Sequence, residues 1–298
     1  MNHEKIVKAC LTTHYTPWRV ENLFFEEKYL SCNGLRLHYR DWGNKQQKPL
    51  VALHGIHGNA RVWDGFAESQ QESRRILALD MRGHGDSEWS QDASYEPEDF
   101  LADLSHFVDG IELQSFALMG LSLGGIVAFA FAAMNPGKVE RLVVVDIGPD
   151  LGSEGMQQIR DSADSRPASF ATFDEAMTWA TGGDESLDTE DLRRRMHLNL
   201  APTPEGRLQW KFDPATDSLI APGSGRDTSM LWALWSSISC PTLIVRGENS
   251  PLLTSETARQ MESSAPNATL VEIANAGHLV MDDNPIAFNE AVNGFLAQ

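Results

Sequence analysis

Five short apolar runs constrain the fold of this chain more than any other feature of its sequence. Each run is almost continuously apolar and ends in Gly, Asp or Ser, and they read PLVALHG (49–55), RRILALD (74–80), SFALMGLS (115–122), ERLVVVD (140–146) and PTLIVRG (241–247). Strands that are covered by helices on both faces have this composition. Between the runs, apolar residues recur at the spacing of one helix face, as in residues 97–113. We therefore expect an α/β fold with a mostly parallel, doubly wound sheet.

The remaining segments indicate a core, an insertion and an extension. Asn33-Gly34 is a strong two-residue hairpin signal between two short predicted strands. The predicted core comprises residues 24–149 and 238–298. Between these parts, residues 150–237 contain amphipathic helical patterns separated by Gly, Pro and Ser. We predict that they form a helical cap over the carboxyl ends of the strands, where open α/β folds bind ligands. Residues 1–23 lack a period and are interpreted as an N-terminal extension.

The C-terminal region completes the core pattern. ATLVEIANAGH (268–278) is typical of a last strand followed by a loop, and NPIAFNEAVNGFLA (284–297) is typical of a closing helix. Asp282 and Asp283 stand just before that helix, and we expect them to cap it together with Asn284.

Composition excludes several classes of partner. The formal net charge of −18 repels nucleic-acid phosphates and anionic membrane surfaces, so we expect neither nucleic acid nor membrane as a partner. No apolar stretch approaches the roughly 18 residues of a membrane span, and the N-terminus lacks the apolar region of a secretory signal. A cytoplasmic location is the expectation. Cys10, Cys32 and Cys240 are odd in number and far apart, which favours reduced thiols over a disulfide framework or a zinc site.

Ser122 is the leading candidate for a nucleophile. It is the centre of the G-x-S-x-G sequence at 120–124, with a predicted strand before it and a predicted helix after it. A strand that turns sharply into a helix strains the central residue, and side chains at the flanking glycines would collide. The turn presents the serine hydroxyl near a helix N-terminus, where free N–H groups favour developing negative charge.

A serine nucleophile needs a base and hydrogen-bond donors for the oxyanion. His278 follows the last strand in a Gly-preceded loop, so the order of the elements brings it to the same sheet edge as Ser122. One oxyanion donor is expected to be the backbone N–H of Leu123, the residue after the nucleophile. The other is expected to be the backbone N–H of Ile56, in the Gly-rich loop after the first parallel strand.

These motifs resemble the α/β-hydrolase fold superfamily, in its serine esterase and lactonase branch with a helical cap. The resemblance covers residues 24–298 and is carried by Gly120–Gly124, His54-Gly55, DMRGHGDS (80–87) and NAGH (275–278). In that family the segment that matches 80–87 is a structural turn, which implies that Asp80 and His84 hold the fold. The chemistry requires no cofactor and no metal.

The carboxylate that would orient His278 is open to two assignments. In the family it usually follows the strand that matches PTLIVRG, but this chain has Ser250 or Pro251 where relatives present aspartate. Glu248 lies in that loop and is the alternate acid. Asp146 is favoured, because a carboxylate directly after a buried strand is desolvated and needs a partner.

Serine nucleophile, base and oxyanion donors together predict an acyl-enzyme that water hydrolyses, with a small-molecule carboxylic ester or lactone as substrate. We expect most of the large side chains of the cap to form its small core, and any that face the sheet to make a largely apolar pocket. They are Trp179, Trp210, Trp232, Trp235, Met177, Met196 and Met230. Two alternatives stay open. One is a carbon–carbon bond hydrolase or cofactor-free perhydrolase of the same fold, and the other is a non-enzymatic ligand receptor or pseudo-hydrolase.

Overall fold

The predicted doubly wound sheet is the centre of the molecule. A computed structural model describes residues 25–70, 72–222 and 227–298, so the predicted N-terminal extension at 1–23 lies outside the described residues. The strands are β1 (Phe25–Cys32), β2 (Leu35–Trp42), β3 (Lys48–Leu53), β4 (Arg74–Leu79), β5 (Phe116–Leu121), β6 (Val139–Val145), β7 (Ser169–Phe170), β8 (Leu200–Pro202), β9 (Leu208–Trp210), β10 (Thr242–Gly247) and β11 (Ala268–Ile273). Eight of them form one sheet in the order β1-β2-β4-β3-β5-β6-β10-β11.

The sheet is antiparallel at one edge and parallel elsewhere. β2 pairs antiparallel with both β1 and β4, whereas every other neighbouring pair is parallel. The hairpin turn between β1 and β2 confirms the Asn33-Gly34 prediction. Both residues have positive φ, 48° and 83°, as a type I′ turn requires.

Helices cover both faces of the sheet. They are α1 (Asp64–Gln70), α2 (Pro97–Gly110), α3 (Leu123–Met134), α4 (Ser153–Asp164), α5 (Phe173–Ala180), α6 (Glu190–Asn199), α7 (Thr228–Ser236), α8 (Ser255–Ser264), α9 (Val280–Asp283) and α10 (Pro285–Leu296). Val51 and Leu53 of β3 belong to a core with α2, α3, α7 and α8, while Leu50 and Ala52 belong to a core with α1 and α10. Because successive side chains point to opposite faces, both faces are buried and the strands must be apolar. None of these described helices is both long and apolar enough to cross a bilayer.

The insertion between β6 and β10 is not purely helical. Besides α4 to α7 it contains a three-stranded antiparallel sheet in the order β7-β9-β8. Phe170 and Trp210 of this sheet form a small separate core together with Met177 of α5. Strands of two or three residues show no detectable period of two, which is why the sequence pattern indicated helices alone. The division into a core and a cap stays a prediction.

The turn after β4 is built around the buried carboxylate of Asp80. Asp80 accepts hydrogen bonds from the ring of His38 and from the backbone N–H groups of Ala60 and Asp86. Gly85 has φ +60°, and a Cβ there would lie 2.2 Å from the Asp80 carboxylate. These contacts support the structural role expected for Asp80. His84 is also fully buried in this turn, with its Nδ1 bonded to the carbonyl of Arg82.

The buried ring of His38 should make the stability of the protein depend on pH. Burial lowers its pKa, but hydrogen bonds to Asp80 and Glu27 outweigh that effect and raise the pKa to about 9. The resulting stabilisation is fully present below about pH 6.5, where the unfolded ring is also charged, and is lost as the pH rises through about 9. Between these limits the free energy of unfolding should fall by about 3 kcal/mol more in the wild type than in His38→Gln. Urea unfolding across this pH range measures it, and identical pH dependence in both proteins would contradict the assignment.

Candidate active site

Ser122 occupies the turn from β5 into α3. Its φ is 52° and its ψ is −121°, a conformation that non-glycine residues rarely adopt. The turn is held in place because the Ser122 N–H donates to the carbonyl of Val145, which extends the pairing between β5 and β6. The side chain makes no capping hydrogen bond to α3, so that helix does not engage the hydroxyl.

The glycines around Ser122 allow a close approach of backbone segments. A Cβ on Gly120 would lie 2.1 Å from the carbonyl oxygen of Gly124, and a Cβ on Gly124 would lie 2.4 Å from that of His54. A Cβ on Gly55 would lie 3.1 Å from the Cβ of Ser122 itself. The loop after β3 therefore packs directly against the serine turn, and the steric reason predicted for these glycines is confirmed.

Asp146 directly follows β6 beside the serine turn. It has positive φ, 49°, and is completely buried. Its carboxylate accepts three hydrogen bonds: from the Gly247 N–H at 3.0 Å, from the Ser250 hydroxyl, and from the ring of His278 at 2.8 Å. These three donors compensate the cost of burying the charge. Ser250, in the loop after β10, thus donates to the Asp146 carboxylate.

His278 lies in the loop after β11, and its position follows from contacts of that loop with β10. A Cβ on Gly247 would lie 2.0 Å from the carbonyl oxygen of Gly277, so only glycine permits this approach. The Gly277 N–H donates to Asp283, which fixes the loop from the other side. The ring Nδ1 of His278 bonds to Asp146, and one quarter of the side chain is exposed.

The contacts of Asp146 and Glu248 distinguish the two candidate acids. Asp146 bonds to His278, whereas Glu248 is exposed and accepts a hydrogen bond from the backbone N–H of Asn275. The other two aspartates in this region differ from expectation. Only Asn284 caps α10, through its side chain and the Ala287 N–H. The prediction that Asp282 and Asp283 cap that helix is wrong, because both carboxylates are bound elsewhere.

A cavity of about 360 Å³ lies over this end of the sheet, and both Ser122 and His278 line it. Ile56 also lines it, from the loop that packs against the serine turn. In the described chain, the backbone N–H groups of Ile56 and Leu123 donate no hydrogen bond, so both are available to a ligand oxygen. The structure thus brings the predicted nucleophile, base and oxyanion donors to one end of the sheet.

The insertion between β6 and β10 lines the cavity with different side chains from those expected. Of the seven cap tryptophans and methionines singled out by sequence, all within the described residues, none lines it. Trp179 and Trp210 pack against each other, and Trp235 packs on Phe129 of α3. The cap instead presents Gly155, Gln158, Ile159, Ser162, Arg194, Arg195, Leu198 and Asn199. The expectation that these side chains form part of an apolar pocket is wrong, since helical period alone does not tell which face of a helix turns to the core. Met177, Met196, Trp179 and Trp210 instead belong to the small core of the insertion, as expected for most of the set.

One group of side chains could in principle hold a cation. Among the described residues, His38, Asp80 and Asp86 bring three ligand atoms within 4.8 Å of one another. His38 and Asp80 are already bonded to each other, so the turn accounts for their proximity without an ion. The group belongs to the structural turn after β4 and shares no residue with the lining of the cavity.

Comparison with known proteins agrees with this geometry. Residues 48–285 match the alpha/beta hydrolase fold family. The chain belongs to that family.

A 3-hydroxybutyrate-oligomer hydrolase of Cupriavidus necator is 27% identical over 259 residues, which cover 82% of this chain and 87% of the relative. An esterase of Mycobacterium tuberculosis is 28% identical over 263 residues, which cover 86% and 84%. A solved alpha/beta hydrolase from Novosphingobium aromaticivorans has a TM-score of 0.80 at 28% identity, over 93% of this chain and 99% of that one. The protein is an enzyme of the hydrolase class.

The hydrolase also contains a polar clasp that the sequence did not indicate. His57, next to Ile56, bonds through Nε2 to Asp217 of the cap at 2.8 Å and stacks on Phe212 with ring centroids 4.4 Å apart. Arg166 binds the same aspartate at 2.6 Å. Burial and the nearby Arg166 lower the pKa of His57, although Asp217 opposes them. The clasp joins the cap to the loop that carries the expected oxyanion donor.

Gly124→Ala should destabilise this hydrolase. The added Cβ meets backbone of β3 and of the following loop, which cannot rotate away, so we expect a loss of about 1–3 kcal/mol and a lower melting temperature. Gly294→Ala is the matched control: Gly294 lies in α10 with no atom within 4 Å of the added Cβ. That change should stabilise by about 0.5–1 kcal/mol. Thermal unfolding distinguishes them, and equal melting temperatures for both variants would contradict the steric argument.

Proposed function

We propose that this hydrolase cleaves small carboxylic esters or lactones through an acyl-enzyme on Ser122, with His278 as base and Asp146 as acid. The observation that carries the proposal is the 2.8 Å hydrogen bond between His278 Nδ1 and the fully buried Asp146, beside a cavity that Ser122 also lines. Nucleophile, base and orienting carboxylate are the three parts that this chemistry needs.

The bond to Asp146 sets the protonation of the imidazole. Because Nδ1–H donates to the carboxylate, Nε2 carries the lone pair of the neutral ring. Nε2 accepts the proton of the Ser122 hydroxyl as the oxygen attacks the ester carbonyl. The imidazolium then donates this proton to the departing alcohol, and Asp146 stabilises the transient positive charge. Water enters in place of the alcohol and attacks the acyl carbon while Nε2 accepts its proton. Nε2 then returns this proton to the Ser122 oxygen as the carbon–oxygen bond breaks and the acid leaves.

The tetrahedral intermediate carries its negative charge on the former carbonyl oxygen. The free N–H groups of Ile56 and Leu123 are the donors for this oxygen in the proposal. Leu123 is the first residue of α3, where the helix dipole also favours negative charge. Loss of one such donor typically costs about 100- to 1000-fold in rate, so the position of the Ile56 loop against Ser122 matters for catalysis.

The activities named for two relatives support an ester substrate. One is an esterase, and the other is a hydrolase of 3-hydroxybutyrate oligomers, whose units are joined by carboxylic ester bonds. The absence of aspartate at 250–251 is the one feature of the sequence that favours the receptor alternative. The contact of Ser250 with Asp146 weakens that argument, because the carboxylate is supplied by β6 and the serine donates to it.

Exchange of each candidate acid for its amide tests the proposal. Asp146→Asn should lower kcat for p-nitrophenyl butyrate by about 10³–10⁴-fold, because the amide cannot hold the imidazole in the required tautomer. Glu248→Gln should change kcat by less than about threefold, because Glu248 binds only an exposed backbone N–H. Steady-state kinetics on purified proteins measure both.

A fluorophosphonate probe provides the control for the nucleophile. It should modify Ser122 in the wild type, as located by peptide mass spectrometry, and leave Ser122→Ala unmodified. A mild effect of Asp146→Asn with a severe effect of Glu248→Gln would overturn the choice of acid. Absence of both labelling and turnover in the wild type would overturn the proposed chemistry.

A further inference from the structure

We infer that Arg194 and Arg195 form a subsite for a carboxylate of the substrate, so that the preferred ester carries a free acid group besides the bond that is cleaved. The inference rests on the proposed ester hydrolysis at Ser122 and specifies its substrate class. It starts from the position of the two arginines on α6, where both side chains line the cavity together with Ser122 and His278.

Positive charge is in excess around the cavity, whereas the chain as a whole is strongly negative. The chain has a net charge of −18, yet the cavity is lined by two guanidinium groups and, among the described residues, by a single carboxylate, that of Asp282. An acidic protein that places two guanidinium groups and a single carboxylate around the candidate site attracts an anion to that place.

Asp282 cannot satisfy both arginines. Arg194 Nη2 donates to Asp282 Oδ1 at 3.0 Å, whereas Arg195 Nη1 lies 3.9 Å from Oδ2, beyond hydrogen-bond distance. Within the described residues, the Arg195 guanidinium makes no hydrogen bond. A guanidinium has five donors in a planar fork that matches the two oxygens of a carboxylate. Arg195 thus offers an unused fork to a ligand.

The surroundings strengthen an ion pair at this place. The cavity that the arginines line also contains apolar side chains, among them Ile159 and Leu198. Burial raises the pKa of Asp282 even though Arg194 and Arg195 act to lower it, as expected where water is partly excluded. Each arginine is still about one third exposed, at 28% and 32%, so an entering carboxylate can reach them.

A purely structural role for the arginines makes a different prediction. Arg194 joins the cap to α9 through Asp282, and weakening this joint alone would alter the turnover of neutral and anionic esters alike. A carboxylate subsite instead alters only the preference between them. The decisive quantity is therefore the ratio of kcat/KM for two esters that differ in charge but have the same scissile bond.

Monoethyl succinate and diethyl succinate are such a pair, with ethanol release as the assay. We expect the wild type to prefer the monoester, and Arg195→Gln to reduce the preference about 10- to 100-fold. Arg193→Gln is the matched control: it removes the same charge from the same helix, but Arg193 binds Asp188 and does not line the cavity. The control should keep the preference within about twofold. Asp282→Asn should increase the preference, because it removes the competing carboxylate.

Equal effects of Arg195→Gln and Arg193→Gln, or no preference in the wild type, would overturn the subsite. Calorimetric binding of monoethyl succinate to Ser122→Ala tests the subsite without turnover. Binding that weakens at least tenfold on adding Arg195→Gln supports it, and unchanged or absent binding overturns it. If the monoester binds in this way but the wild type hydrolyses neither ester nor p-nitrophenyl butyrate, the proposed hydrolysis fails while the anion site remains.

Discussion

The buried carboxylate of Asp146 is the constraint on which the arrangement of this end of the sheet depends. An unpaired carboxylate at zero exposure would cost several kcal/mol, so every donor around it is needed. The donors come from the end of β10, from the loop after it and from the loop after β11: Gly247, Ser250 and His278. One charge therefore fixes three segments relative to β6, and it fixes the orientation of the imidazole in the same step.

Two further features define the site: the strained backbone at Ser122 and Asp146, and a contact between the Ile56 loop and the predicted cap. Ser122 and Asp146 both have positive φ, which costs about 1–3 kcal/mol for a non-glycine residue. The sheet supports both conformations, since the backbone N–H of each residue still pairs with the next strand. The hydrogen bond between His57 and Asp217 joins the Ile56 loop to the predicted cap. The position of that loop thus depends on the cap as well as on the core.

The parts of the molecule that the sequence predicts are those governed by local rules. Burial on both faces requires apolar strands, the Asn33-Gly34 turn requires positive φ, and the glycines around Ser122 have a steric reason. The preference for Asp146 over Glu248 also follows from a local rule, because a carboxylate directly after a buried strand needs a partner. The contact of Asp146 with His278 depends in addition on how the loops after β10 and β11 pack on Gly247, which the sequence does not show. Arg195 was missed for a similar reason: the period of α6 gives an amphipathic helix but not the face that meets the cavity. The sheet of β7, β8 and β9 was missed because its strands are too short to show an alternation of apolar and polar residues.

The central claim is that Asp146 holds the proton on His278 Nδ1, and proton NMR tests it most directly. A hydrogen-bonded imidazole N–H that is shielded from water gives a resonance far downfield of the amide region. The account predicts that the wild type and Glu248→Gln show this resonance, coupled to nitrogen in histidine labelled with ¹⁵N, and that Asp146→Asn and His278→Ala lack it. Its persistence in Asp146→Asn, or its loss in Glu248→Gln, would contradict the account.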